Sequence, residues 1–244
     1  MRVVIAGVHG RVARRLAQRL CARGDAVVGL VPTPEAEADL VAERLDTVVL
    51  DLEHARVDDL AAFVVDADAV VFAAGVGAEP AGGDRGAHRY AADRAAAVLL
   101  ADAAEQAAVR PYLLMSSMGV ESVADGRTPE GEDDDFVDYL RAKLAAEDGV
   151  RNRPAVDMTV LRPGRLTDEP GTGRVDVGQG LPFREISRDD VADVMLSLLD
   201  APRPGQVLEV VAGSTAISEA MVAVDYPPEA DLAARTRVTR ARRA

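Results

Sequence analysis

Lysine is nearly absent from this chain: of its 28 lysines and arginines, Lys143 alone is a lysine. Tryptophan is missing, aromatic residues make up 3 %, and 244 residues hold three histidines and a single cysteine. One cysteine excludes an internal disulfide framework or a multi-cysteine zinc cluster, which suits a reducing compartment. Cys21 stands in a helical pattern, and the core is the expected place for such a residue. His9, His54 and His88 show no ligand spacing, so no metal is expected. No apolar run approaches the ~18 residues of a membrane span. The start, "MRVVIAGVHG", reads directly into a strand without a signal-peptide pattern. The expectation is a cytoplasmic protein with no membrane partner.

The formal charge of −13 repels polyanions, so nucleic acid is not an expected partner. Acidity with almost no lysine is what a salt-adapted cytoplasm and a GC-rich genome both produce. Only the tail "RTRVTRARRA" is basic.

What is present is an alternation. Short apolar, β-branched runs at 3–7, 26–31, 46–51, 69–75, 112–117, 158–163 and 207–211 are separated by helical patterns. Those patterns lie near 11–23, 35–44, 57–65, 91–108, 136–152, 188–200 and 217–224. This predicts an α/β protein with a doubly wound, Rossmann-like parallel sheet of about seven strands, helices on both faces, in one domain over 1–224. Residues 225–244, with Pro-Pro and little apolar periodicity, read as an extension. Polar segments at 76–90, 120–135 and 165–186 are the expected substrate loops, because ligands bind at the carboxyl ends of such strands.

The stretch "VVIAGVHGRVARRL" is a strand, a glycine turn and an amphipathic helix. Gly7 permits the tight turn, Gly10 lets backbone approach a pyrophosphate, and Ala13 lets helix and strand pack closely. His9 contributes backbone there, and the first N–H groups of the helix, from Arg11 and Val12 onward, suit phosphate charge. The spacing is Gly-x-x-Gly-x-x-Ala rather than Gly-x-Gly-x-x-Gly.

In "YLRAK", Tyr139 and Lys143 are four residues apart, which stacks them on one face of a helix. A compact ammonium beside a phenol stabilises the phenolate, making the hydroxyl a usable proton donor or acceptor at a carbonyl or alcohol carbon. Arginine keeps the charge but not that geometry. The alternative reading is an ordinary charged helix.

These segments, with "LDLE" (50–53), "VVFAAG" (70–75), "LLMSSMG" (113–119), "LRPGRLTDEPGTGRV" (161–175) and "ISRDDVADVM" (186–195), resemble the short-chain dehydrogenase/reductase superfamily. Within it they are similar to the atypical group of NAD(P)-binding oxidoreductases and sugar epimerases. The resemblance implies that Asp51 and Leu52 flank the adenine and that Ala73, Ala74 and Gly75 line the ribose side. It also implies that Pro163 and Gly164 wall the nicotinamide, and that Lys143 meets its ribose. Ser117 would hold the reacting oxygen for Tyr139, with Ser116 either sharing that role or satisfying a strand end. Asp51 has a second reading as a turn former. Asp93 matches an acidic position of the group, and an N-cap role accounts for it equally.

The chain departs from the group after the second strand, where Val31, Pro32 and Thr33 supply neither an arginine for a 2′-phosphate nor an aspartate for a 2′-hydroxyl. Arg11 is the substitute clasp, which tilts the expectation to NADP over NAD. The acidic character of the substrate loops argues against a highly anionic substrate, with Arg165, Arg174 and Arg184 the residues able to reverse that locally. The reading is an NAD(P)-dependent oxidoreductase acting on a small molecule, as monomer or homodimer. An epimerase or dehydratase of a sugar-like substrate, and a non-catalytic dinucleotide sensor, are the alternatives.

Overall fold

The computed structural model describes residues 1–41, 45–75, 85–151 and 153–225. Each of the seven apolar runs is a strand: β1 (Arg2–Ala6), β2 (Ala26–Val31), β3 (Thr47–Val49), β4 (Ala69–Phe72), β5 (Pro111–Met115), β6 (Asp157–Pro163) and, later in the chain, β10 (Val207–Ala212). They pair in parallel in the order β10-β6-β5-β4-β1-β2-β3. Seven helices lie between and after them: α1 (Arg11–Ala22), α2 (Pro34–Val41), α3 (Val57–Val64), α4 (Arg85–Gln106), α5 (Asp134–Arg151), α6 (Arg188–Asp200) and α7 (Ile217–Asp225).

Alternation along the strands divides the core in two. Val3 and Ile5 of β1 face α1 and α6, packing with Leu16, Leu20, Val194 and Leu198. Val4 and Ala6 face the other way, into Leu60 of α3, Leu100 of α4 and Val150 of α5. Strands covered on both faces have to be apolar throughout, which is why these runs are continuous rather than alternating. A third cluster, Val120, Val123, Val137 and Leu140, sits with Phe136 and Tyr139 beyond the end of β5.

Four further strands occupy sequence expected as loop or left unassigned: β7 (Arg165–Thr167), β8 (Arg174–Gly178), β9 (Glu185–Ser187) and β11 (Thr215–Ala216). β8 adds antiparallel to β10 and β11 to β8, while β7 and β9 form a parallel pair of their own. Thus 165–186 is a built wall. Two other expectations change. α4 begins at Arg85, inside the segment expected as loop, while the rest of that segment, 76–84, and the side chain of His88 lie outside the described residues. The extension from 226 onward lies outside them as well. Cys21 is exposed rather than in the core, because the buried stripe of α1 runs through Ala13, Leu16, Ala17 and Leu20 and leaves it off the apolar face.

The loop between β7 and β8 is tied down by Asp190, which is buried in the first turn of α6. Its carboxylate accepts from Gly173 N at 2.7 Å, Thr172 N at 3.0 Å and Ser187 Oγ at 3.0 Å. Ser187 in return caps the helix by accepting from Asp190 N. Asp190→Ala leaves two backbone donors without a partner and should lower unfolding free energy by about 2 to 4 kcal/mol. Urea denaturation checks this, with Asp190→Asn expected to lose less.

Candidate active site

The turn from β1 to α1 is shaped by two close approaches. Gly7 has φ +81°, and a Cβ there would lie 2.5 Å from Ala74 N and Cα and 2.9 Å from the Ala73 carbonyl carbon. At Gly10 a Cβ would stand 3.2 Å from Gly7 O. Gly10 is the N-cap of α1 and no side chain caps this helix, so the N–H groups of Arg11 and Val12 open at the carboxyl edge of the sheet. A concave backbone cradle with uncapped N–H groups fits a pyrophosphate. Ala73 and Ala74 thus come against the glycine turn, and Gly75 follows them against Lys143. His9 is exposed within the turn.

Lys143 arrives at the same place from α5. It is 3 % exposed, which disposes of the solvated-helix reading. An ammonium so placed needs oxygen partners, and Nζ donates to Ala74 O at 2.9 Å and Met115 O at 3.4 Å. It also lies 5.8 Å from the centroid of the Tyr139 ring, and Tyr139 in turn stacks on Phe136 at 6.1 Å. A Cβ on Gly75 would collide with Nζ and stand 3.3 Å from Asp93 Oδ2. Asp93 is therefore at the site, and the N-cap reading fails because it lies within α4 rather than at its start.

Ser116 and Ser117 follow β5 beside the end of β6: Ser116 N donates to Leu161 O at 2.8 Å and Met118 N to Pro163 O at 3.0 Å. Ser117 Oγ donates to Met118 O at 3.0 Å. Gly164 is held by Val210 O, and a Cβ there would overlap Arg184 O, so the Pro163 and Gly164 wall abuts β9.

Behind Lys143, Glu147 is fully buried and accepts from Arg162 Nε at 2.8 Å and Nη2 at 2.6 Å. Burial pushes the Glu147 carboxyl up to about 7, while the guanidinium, which only donates, bonds both of its oxygens. The Ser116 hydroxyl, buried and without a formed hydrogen bond, lies beside this carboxylate and favours its charge. Glu147 and Arg162 went unnoticed in the sequence, although Tyr139, Lys143 and Glu147 recur every four residues.

Other expectations scatter. Arg11 is turned to Asp168 at 2.6 Å, where Arg188 (3.0 Å) and Arg15 (3.5 Å) also converge. Arg188 is lowered from its ordinary value by burial and then by Arg11, as expected where cations crowd one carboxylate. Asp51 forms the turn after β3, accepting from Glu53 N at 3.0 Å and contacting His54 Nδ1 at 2.7 Å. His54 and the Glu53 amide hold its carboxyl below the usual range, so the turn-former reading describes the structure. Leu52 packs against the core beside it. Arg165, Arg174 and Arg184 do not converge: they pair with Glu185, Ser214 O and Asp176.

The profile of a family described as NAD(P)H-binding matches residues 7–202. The chain is 28 % identical over 224 residues to the uncharacterized sugar epimerase YhfK of Bacillus subtilis, covering 91 % of this chain and 99 % of that one. Among solved structures, the oxidoreductase ylbE of Lactococcus lactis superposes with a TM-score of 0.75 at 25 % identity, over 92 % of this chain and 96 % of that one. A Bacillus halodurans protein assigned to the NAD-dependent epimerases/dehydratases gives 0.74 at 33 %, over 91 % and 98 %.

Gly7→Ala should abolish uptake of ADP-ribose in a calorimetric titration, since the methyl has only Ala73 and Ala74 backbone to displace. Gly24→Ala is the control: φ is +91° with nothing within 4 Å of its Cβ. It should cost about 1 kcal/mol of stability through backbone strain and leave that titration unchanged.

Proposed function

This chain belongs to the NAD(P)H-binding family, and we propose that it is an NAD(P)-dependent oxidoreductase acting on a small carbonyl or alcohol, with Tyr139 as general acid/base and Lys143 beside it. The observation that carries this is the buried ammonium of Lys143, held by the carbonyls of Ala74 and Met115 next to the glycine turn and against the Tyr139 ring. A bound nicotinamide dinucleotide supplies the hydride acceptor or donor. The chain does the rest. The uncapped start of α1 takes the phosphates. Two of the three Lys143 donors are spent on carbonyls, and the remaining one is assigned to a ribose hydroxyl. Its charge stabilises negative charge developing on the Tyr139 oxygen as the proton moves. Ser117, just after β5, orients the reacting oxygen, and Ser116 supports the strand end.

An epimerase would use the same residues with no net consumption of the dinucleotide, and the name carried by YhfK favours keeping that reading second. A sensor that only bound dinucleotide would use Lys143 for the ribose and would not need Tyr139 beside it.

NADPH is favoured only through Arg11. Thr33 Oγ1 accepts from Ala36 N at 3.3 Å, and the first turn of α2 carries Glu35 and Glu37, so nothing cationic stands directly after β2. Arg11 would have to leave Asp168. This exposed pair is worth about 0.2 to 1 kcal/mol, so Asp168→Asn should raise NADPH affinity up to about fivefold relative to NADH. Arg11→Ala should lower NADPH affinity alone. Parallel calorimetric titrations of both cofactors check this, and an equal loss for both would place Arg11 elsewhere.

Lys143→Arg and Tyr139→Phe should each fold, retain dinucleotide binding within a few-fold for the tyrosine variant, and lose about 100-fold or more in turnover. The double variant should lose far less than the product of the two. A panel of small carbonyls and sugar derivatives, followed by nicotinamide absorbance and by product stereochemistry, provides the turnover. Wild-type turnover by Lys143→Arg on any substrate found would sink the assignment.

A further inference from the structure

The charges behind Lys143 play no part in that chemistry, and stability does not account for them. Glu147 and Arg162 are both buried, and taking two ions out of water costs about what their attraction returns. An apolar pair of similar volume commonly holds a fold as well or better. What an apolar pair lacks is direction. The planar guanidinium meets both carboxylate oxygens through Nε and Nη2, and such a fork sets the angle as well as the distance between the elements that carry it.

Those elements are the walls of the site. Glu147 is one helical turn beyond Lys143 and two beyond Tyr139 on α5. Arg162 immediately precedes Pro163 and Gly164 on β6. The third nitrogen of the guanidinium reaches Glu121, in the helical turn at Val120–Gly126 that follows Ser116 and Ser117. Around this pair stand Lys143, Asp148 and Arg151 from α5, Ser116 from β5 and Glu209 from β10. We propose that Glu147 and Arg162 are positioning residues, holding α5 with Tyr139 and Lys143 at a fixed angle to the end of β6 that faces the nicotinamide. The inference rests on the dinucleotide reading above.

The test compares wild type, Glu147→Gln and the apolar double variant Glu147→Leu/Arg162→Met in titrations with NADH and with ADP, which lacks both the nicotinamide and its ribose. Emission of bound NADH and thermal midpoints are recorded alongside. Both variants should bind NADH about tenfold more weakly, the loss of one charge-assisted hydrogen bond at the nicotinamide end. ADP affinity should stay within about twofold, and the emission change of bound NADH should be lost. The double variant should do so with its thermal midpoint at or above wild type, which separates positioning from stability. A double variant as stable as wild type that keeps its preference for NADH and its emission would overturn the proposal. Equal weakening of both ligands in Glu147→Gln would overturn it too, and this variant decides the matter if the double does not fold. Failure of wild type to bind NADH would overturn the dinucleotide reading, and the positioning role with it.

Discussion

The ammonium of Lys143 has left water almost entirely, and a cation can do so only where oxygens are already arranged to receive it. Two carbonyls meet that requirement, Ala74 after β4 and Met115 at the end of β5, and both come from neighbouring strands of one parallel sheet. The sheet must therefore end in register at this edge, and the chain must leave β4 without a side chain where Gly75 stands against Nζ. The glycine turn is bound by the same constraint, because Gly7 packs against the backbone of Ala73 and Ala74. The glycine turn and a buried cation thus share one stretch of backbone.

Charge is arranged around this edge in two regimes. Between α1 and α6 the pairs are partly solvated: Arg19 reaches Asp189 at 2.8 Å and Asp193 at 2.5 Å, and Arg15 reaches Asp189 at 3.5 Å. Each such contact contributes little alone, although together they lace the helix that begins at the phosphate turn to the helix that follows β9. Behind Lys143 the Glu147 and Arg162 pair is dry. There the loss of one partner strands a charge, so the geometry is rigid at the cost of tolerance to substitution. An arginine-rich chain suits both regimes, since the planar fork meets carboxylates with two bonds where an ammonium acts as a point charge. The one site that needs a compact cation holds the one lysine.

Seven strands, seven helices and their order were legible as sequence because two-sided burial demands long apolar runs, and a run of that kind is visible without knowing its neighbours. "RVVIA" and "AVVF" are examples, buried nearly throughout. The glycine turn and the Tyr139 and Lys143 pair were legible for a similar reason: both are set by local spacing. The strands in 165–186 were not, since "RLT" and "EIS" are polar triplets whose extended state comes only from pairing with each other, across a gap that no periodicity spans.

The partnerships of single side chains belong to tertiary structure alone. Nothing local marks Arg162 as the partner of Glu147, because the contact joins a helix to a strand through the sheet's edge. Asp168 as the holder of Arg11 is likewise a meeting of segments 157 residues apart. Asp93 read equally well as a cap and Cys21 as core because the course of α4 and the facing of α1 are set by what packs on them. Sequence by itself determined which residues can form strands, helices and a phosphate turn, since those follow from local conformational preference and burial pattern. The folded chain decided which charges are dry and which walls are joined, because desolvation and ion pairing depend on neighbours that only the complete sheet brings together.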